Sequence, residues 1–525
     1  MARRSRARVT RHRHVVLAAI ARREWLLRVA ALTAAGCGRT RPHVAPSPLT
    51  VAYYDNQVGE GAGLFTDSPS QFLVFLPLVS RNAQGELEGR LARSWEHTPD
   101  YRTWTVHLRT DVTWHDGHPV TAHDIKFTLD LLAEVRVLPP GAFSVTVIDD
   151  STYSITYRDW GGAGNPLDDY TVYYPKHLLE TLDPTTFQSW EFWNHPVGNG
   201  PYRFIRQVPR TMMEFEANPT YYRGKPKIDR VVLKFIALNA SEVTELLSGN
   251  VQAAHSGPFG MLKDDPRFEH YYEISAGLRG IAWNHRHTLF HEPGVRQALT
   301  LAINRPELHR VLDLPTGLPI CDVVPTIEQM RRGDTPDPLP YDPERAKRLL
   351  DAAGWRDGDR DGVRTRNGTP CHFAVLTNAT DERARAALYI QAQLRQVGIR
   401  MDIQTMDWSG VMAHVNAGTF EAAMVHMNVS FTSPIGLMWL FGPASALGYV
   451  NPKVVTLFNR GRRTLDPDEI ERIHREAMPI FQADLPVTFL YPSIENMVAS
   501  RRLRGLSSPD RTDIVWYMED LWLEE

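Results

Sequence analysis

Between Thr103 and Leu108 the chain alternates: Trp104, Val106 and Leu108 are separated by polar residues, the period-2 pattern of a strand with one buried face. A polar turn, His115-Asp116-Gly117-His118-Pro119, follows. Thr121 then stands three residues before Asp124, the spacing of a capping box, and the helix it opens places Ile125, Leu129 and Leu132 on one face. The same two periods recur downstream. Tyr153, Ile155 and Tyr157 alternate, as do Ile399, Met401 and Ile403. Asp342 with Pro343 starts a helix that buries Leu349 and Leu350 and stops at Gly354. Asp466 and Pro467 open another, with Ile470, Ile473, Ala477 and Phe481 on one face. A helix over 384–397 leads directly into the strand at Ile399. From Thr50 onward strand and helix patterns interleave, with no internal repeat, which predicts an α/β fold.

A chain of 525 residues with 43% apolar content can bury a large core and predicts more than one lobe. No apolar run reaches the roughly 18 residues of a membrane span. The N-terminus is a separate object: residues 1–36 hold nine Arg, no Lys and one acidic residue, and end at Ala34-Ala35-Gly36-Cys37. A basic region, a short apolar stretch and small residues before a cysteine read as an export signal (1–37) with Cys37 as the lipid-bearing residue. Arg22-Arg23-Glu24-Trp25-Leu26-Leu27 resembles a twin-arginine export motif, with Trp where Phe is usual. An ordinary signal read from a different start codon is the alternative, and it too exports the protein. Residues 38–49, rich in Pro and Arg, read as a tether.

Removing residues 1–36, with their nine Arg and one Glu, takes the formal charge from −3 to −11. An acidic body argues against nucleic acid, which needs clustered cations. Cys321 and Cys371 remain beside Cys37, and in an oxidising compartment they could form a disulfide, closing a loop worth about 4 kcal/mol; two buried free thiols are the alternative.

Enzyme signatures are missing: there is no Gly-x-Ser-x-Gly elbow, phosphate loop or His-Glu-x-x-His. His115 and His118 flank Asp116 in a turn, but the turn itself accounts for Asp116-Gly117, so no metal and no cofactor is assigned. Asp357-Gly358-Asp359-Arg360-Asp361-Gly362 starts like a calcium loop, yet Gly368 stands where the bidentate Glu belongs. Any two of the 61 acidic residues could meet as a hydrolytic pair, and no motif favours one. The load of 13 Trp and 18 Tyr suits a protein that wraps small polar ligands.

The segment 91–134, LARSWEHTPDYRTWTVHLRTDVTWHDGHPVTAHDIKFTLDLLAE, resembles the signature of the family 5 extracytoplasmic solute-binding proteins of ABC importers, the oligopeptide- and dipeptide-binding group. Further matches follow in family order: Pro196-Val197-Gly198-Asn199-Gly200-Pro201-Tyr202, the segment 218–226, the apolar strand 229–236, Val295-Arg296-Gln297-Ala298-Leu299 with Ala302-Ile303-Asn304-Arg305, and the helix from Tyr341-Asp342-Pro343 to Gly354-Trp355.

The resemblance implies a two-lobed periplasmic-binding-protein fold with mixed sheets, a hinge of two crossing strands and an extra subdomain in the first lobe. Lobe I would comprise 50–278 and 490–525, with the subdomain at about 80–190, and lobe II 279–489. It also implies a ligand cleft approached by Tyr54 and Phe75 from lobe I, by Trp283 and Asn284 at the hinge crossing, and by His426, Asn428, Phe431 and Trp439 around Pro434. Peptide-binding members carry an acidic residue shortly before that proline, which pairs with the peptide amine. Here the stretch 424–434, MVHMNVSFTSP, holds no acid; Ser430 stands about where it belongs, and Met424 about where some members place a cation. An unpartnered buried ammonium is costly, so a neutral polar ligand, oligosaccharide-like or a capped or modified peptide, becomes the better fit. The expectation is therefore a monomeric, lipid-anchored, extracytoplasmic protein that performs no chemistry. It would hand a small solute to ABC permease and ATPase subunits. A secreted hydrolase using the same cleft, or a ligand sensor for a membrane receptor, stand as alternatives.

Overall fold

The architecture is that of the unit Leu49–Glu525. The computed structural model describes residues 48–54, 65, 70–81, 87–138, 140–158, 167, 171–236, 239–255, 259–315, 318, 339–356, 362–379, 381–428, 445–461, 464, 466–506 and 514–524. Cys37, Cys321, Phe431, Trp439 and most of the calcium-like loop lie outside these residues.

Strand β1 (Leu49–Tyr54) is followed by β2 (Ala92–His97), β3 (Thr103–Leu108), helix α1 (Ala122–Glu134), β4 (Phe143–Asp149), β5 (Thr152–Tyr157) and the short α2 (Lys176–Leu179). Next come β6 (Tyr202–Val208), β7 (Met212–Ala217), β8 (Arg230–Ile236), α3 (Asn239–Ser248), β9 (Ala253–His255) and the long β10 (Phe268–Trp283). The second half contains α4 (Pro293–Leu301), α5 (Pro343–Ala352), β11 (His372–Thr377), α6 (Asp381–Arg395), β12 (Arg400–Thr405), α7 (Trp408–Ala417), β13 (Ala422–Asn428), α8 (Pro467–Asp484) and β14 (Val487–Ser500).

The local chemistry is the expected one. Trp104, Val106 and Leu108 are the buried alternate residues of β3. At α1, the Thr121 N–H donates to Asp124 Oδ2 at 2.8 Å, and the reciprocal bond closes the capping box. Asp342 accepts from the Arg345 N–H at 2.8 Å, with Pro343 in the first turn of α5.

Ten strands form one sheet in the order β12-β11-β13-β10-β14-β9-β1-β8-β7-β6, and β2-β3-β5-β4 form a separate four-stranded sheet. Within the large sheet β10 and β14 are antiparallel partners along nearly their whole length. Phe268 faces Ser500 and the pairing continues to Ile274 with Ile494; it breaks, then resumes at Leu278 with Pro492 and ends at Ala282 with Val487. The apolar cores divide at that break. Residues 49–271 and 497–523 supply two clusters, one on Leu49, Phe75 and Tyr202 and one on Ala52, Val243 and Val498. Residues 274–491 supply two others, built on Trp283, Leu350 and Ile390 and on Leu278, Val415 and Phe489. The fold is thus two-lobed, with two adjacent strands passing from one lobe to the other. The four-stranded sheet is a subdomain of the first lobe, and its buried Trp104, Val106 and Tyr153 join that lobe's main core. Among the described residues no helix is long and apolar enough to cross a membrane.

Candidate functional site

Strand direction locates the site. β1 runs parallel to β8 and β9, so Tyr54, Ile236 and His255 end at one edge of lobe I. β14 runs antiparallel to β9, with His255 opposite Met497, so Ile494 and the crossing lie toward that same edge. In lobe II, β13 ends with Asn428 opposite Gly277, and β11 and β12 run parallel to it, so their C-terminal ends also face the crossing. Ligands of open α/β sheets sit beyond the carboxyl ends of strands where the strand order switches. Both lobes direct those ends to one place.

A charged cluster lies there on lobe II. His426, Arg279 and Tyr491 form a row across β13, β10 and β14, because Arg279 is the register partner of both others. The Arg279 guanidinium is 3.6 Å from Glu382 in the first turn of α6. The next residue, Arg383, donates to Asn378 Oδ1 at 2.8 Å and lies over the Trp408 ring, 4.4 Å from its centroid. Desolvation, with Arg279 adding to it, lowers the Arg383 pKa. His426 is an exposed residue of its strand; desolvation first, then the charges of Arg279 and Arg383, push its pKa down to about 4. The buried Tyr491 hydroxyl has its pKa raised by desolvation and by Glu382 beside it. Among these four side chains two guanidiniums meet one carboxylate and a neutral imidazole, a surplus of one positive charge on the lobe II side, while Glu273 and Glu495 are register partners just inside lobe I. Gly277 makes room for it: a Cβ there would fall 2.2 Å from His426 Nε2 and 2.9 Å from Ser493 Cβ.

Three residues expected at the cleft are scaffold instead. Phe75 is fully buried and packs on Phe65 and Tyr174. Trp283 is fully buried, its Nε1–H donating to Thr488 Oγ1 at 3.1 Å. Asn284 donates to the carbonyls of Phe420 at 2.6 Å and Gly418 at 3.1 Å. The reason is the length of β10: the crossing lies at Gly277, and six further residues at about 3.3 Å each carry Trp283 about 20 Å into lobe II. His426 stands opposite Arg279, and Tyr54 and Asn428 are the last residues of strands that end toward the crossing. Arg279, Glu382, Arg383, Trp408 and Tyr491 were not anticipated. A legible signal existed for two of them, since Arg279 interrupts an apolar strand and Arg383 opens a helix directly after one.

His115 turns inward, its Nδ1 accepting from the Gly198 N–H at 3.2 Å and its Nε2–H donating to the Gly200 carbonyl at 3.1 Å. Burial pushes its pKa down to about 4. Its glycine partners are there for close approach: a Cβ on Gly198 would fall 1.9 Å from the Val74 carbonyl oxygen. Cys371 is a buried free thiol, its pKa pushed up to about 12 by burial. A separate surface groove of about 330 Å³ lies between α1 and the 176–190 segment.

Comparison with known proteins agrees with this architecture. The model of the bacterial extracellular solute-binding proteins, family 5 (middle region), matches residues 86–448. The oligopeptide-binding protein AppA of Bacillus subtilis is 24% identical over 478 residues, which cover 87% of each chain. Its solved structure in complex with a nonapeptide aligns over 91% of this chain and 100% of that one, with a TM-score of 0.70 at 22% identity. NikZ from Campylobacter jejuni, solved in complex with Ni(L-His), aligns over 90% and 99% with a TM-score of 0.73 at 22% identity. Those structures share the fold; the family match, spanning well over half of the sequence, establishes kinship. The chain belongs to the family 5 extracellular solute-binding proteins of bacteria.

Proposed function

We propose that this protein captures a peptide-like solute carrying an acidic group in the cleft between its lobes and delivers it to an ABC permease without altering it. The observation that carries this reading is the convergence of strand ends from both lobes on Arg279, Arg383 and His426. A partly desolvated guanidinium backed by an aromatic ring and one amide suits a carboxylate, because charge-assisted pairs repay desolvation. The segment 424–444 contains no Asp, Glu, Lys or Arg, so it offers an incoming amine no counter-charge. We therefore expect recognition at the acid end of the solute, not at its amine. A neutral oligosaccharide leaves the surplus positive charge unused.

Closure would follow from contacts to both lobes, since a ligand shifts a two-state equilibrium only by its difference in affinity for the two states. The N-terminal segment is read as an export signal, with Cys37 as a lipid attachment point that keeps the binding unit beside the membrane. The boundaries we assign to the lobes are the strand crossings, 275–277 and 493.

Native mass spectrometry of the protein as purified, followed by thermal-shift measurements with short peptides, tests the reading. Amidating the C-terminus of an active peptide should abolish its shift, and acetylating its N-terminus should leave the shift intact. Shifts confined to neutral oligosaccharides, dependence on a free amine, or turnover of the bound compound would each overturn it. Substituting Cys37→Ser should release the mature protein from membranes.

A further inference from the structure

Outside the crossing, the described surface brings two imidazoles and a carboxylate together where the sequence placed only one pair. Asp116 and His118 share the turn between β3 and α1; His177 arrives from α2, 61 residues beyond Asp116. His177 Nε2 is 2.8 Å from Asp116 Oδ2, and His118 Nδ1 is 3.2 Å from Asp116 Oδ1. All three ligand atoms lie within 4.8 Å of one another, and the two imidazole rings are 4.2 Å apart at 32°. His115, the residue that sequence reasoning paired with His118, points the other way, into the fold.

The arrangement is held before anything binds. The turn is closed by the Trp114 N–H to the His118 carbonyl at 2.8 Å and by the Gly117 N–H to the Trp114 carbonyl at 2.9 Å. It is pinned to the body by the His115 N–H, which donates to the Gly198 carbonyl at 2.6 Å. The other half is fixed by the Lys176 N–H donating to Asp124 Oδ1 at 2.9 Å, beside His177. The second half therefore depends on the capped start of α1, and the first on the 198–200 turn.

We propose that Asp116, His118 and His177 form a binding site for a late first-row divalent metal ion, Zn²⁺, Ni²⁺ or Cu²⁺, on the subdomain of lobe I. Two imidazole nitrogens and a carboxylate oxygen are the donor set of such ions, and hard cations such as Mg²⁺ and Ca²⁺ prefer all-oxygen sites. Around a tetrahedral ion with bonds of about 2.0–2.1 Å, ligand atoms sit about 3.3 Å apart. The two nitrogen–oxygen separations are to different oxygens of Asp116, so the carboxylate already lies between the imidazoles, and a rotation that offers one oxygen to the ion while the nitrogens draw together completes the set. The fourth position faces solvent, open to water or to a donor from another molecule.

The full-length untagged chain, stripped with EDTA and titrated with Zn²⁺ or Ni²⁺ against a chromogenic chelator, tests this. One tight equivalent should appear. His118→Ala and His177→Ala should each weaken it by about tenfold or more, while melting temperatures stay within a degree or two of the parent. His123→Ala, a neighbouring exposed imidazole, should leave it unchanged, and excess Mg²⁺ should not displace the ion. Equal affinity in the parent, His118→Ala and His177→Ala would overturn the proposal, as would the absence of any equivalent or its loss in His123→Ala alone. None of these readouts requires the solute or depends on the cleft.

Discussion

Glu242, in the first turn of α3, is fully buried, and neither of its carboxylate oxygens has a hydrogen-bond partner among the described residues. Burial pushes its pKa up from 4.5 to about 8. The folded state then binds more protons than the unfolded state between those two values. The contribution of this group to stability is therefore full below about pH 4.5 and declines as pH rises toward about 8. Thermal melts should show that decline, and Glu242→Gln should flatten it and raise the melting temperature at pH 8; a pH slope unchanged in the variant would refute the assignment. Gly277 makes a second residue-scale prediction. Gly277→Ala should displace His426 and lower solute affinity about tenfold, the ~1.4 kcal/mol of one weakened charged hydrogen bond, without unfolding the protein; calorimetric titration decides. The family pattern points to His426 through its position relative to Pro434, and the fold sets it opposite Arg279. The sequence did not disclose Arg279 or Arg383 as neighbours of that histidine, because two strands and a helix from three parts of the chain bring them together and no local pattern encodes which residues meet across a sheet.

Among the elements, α4 and the end of α8 are joined by one buried side chain. Arg296 donates to the carbonyls of Phe290, His291, Asp484 and Leu485. Desolvation brings its pKa down to about 10, and the fixed fork of a guanidinium can serve several carbonyls at once. Arg296→Met would keep the volume and strand those acceptors, at a cost on the order of 3 kcal/mol. A urea melt should show a lower midpoint at unchanged slope, and an unaltered midpoint would count against the staple. Element boundaries were the most legible feature of the sequence, since caps such as Thr121, Asp342 and Asp466 act over two or three residues and leave a local trace. The course of β10 was less legible. Its apolar alternation shows a strand but not where along sixteen residues the lobe changes, and so Trp283 and Asn284 were assigned to the crossing instead of the core.

On the scale of the whole molecule, the interleaved periods gave the α/β class, whereas the lobes and their order came through family resemblance. Charge separated the basic N-terminal segment from an acidic body. The mechanism we propose predicts a measurable change of shape: adding a peptide that produces a thermal shift should reduce the radius of gyration in small-angle X-ray scattering. Arg383→Ala should abolish both effects. A radius that stays constant at saturation would exclude closure.

The pairing of β10 with β14 has one more consequence. The chain leaves the first lobe at Ile274 and re-enters it at Ile494, and these two residues are direct antiparallel neighbours. The intervening stretch is, in effect, a cassette plugged into a hairpin. Splicing Ile274 to Ile494 through Asn-Gly, the two-residue connection that antiparallel neighbours favour, should yield a miniature of the first lobe that melts cooperatively by itself. If the spliced chain lacks a cooperative melt, the halves are not separable building blocks, and each depends on the other for its shape.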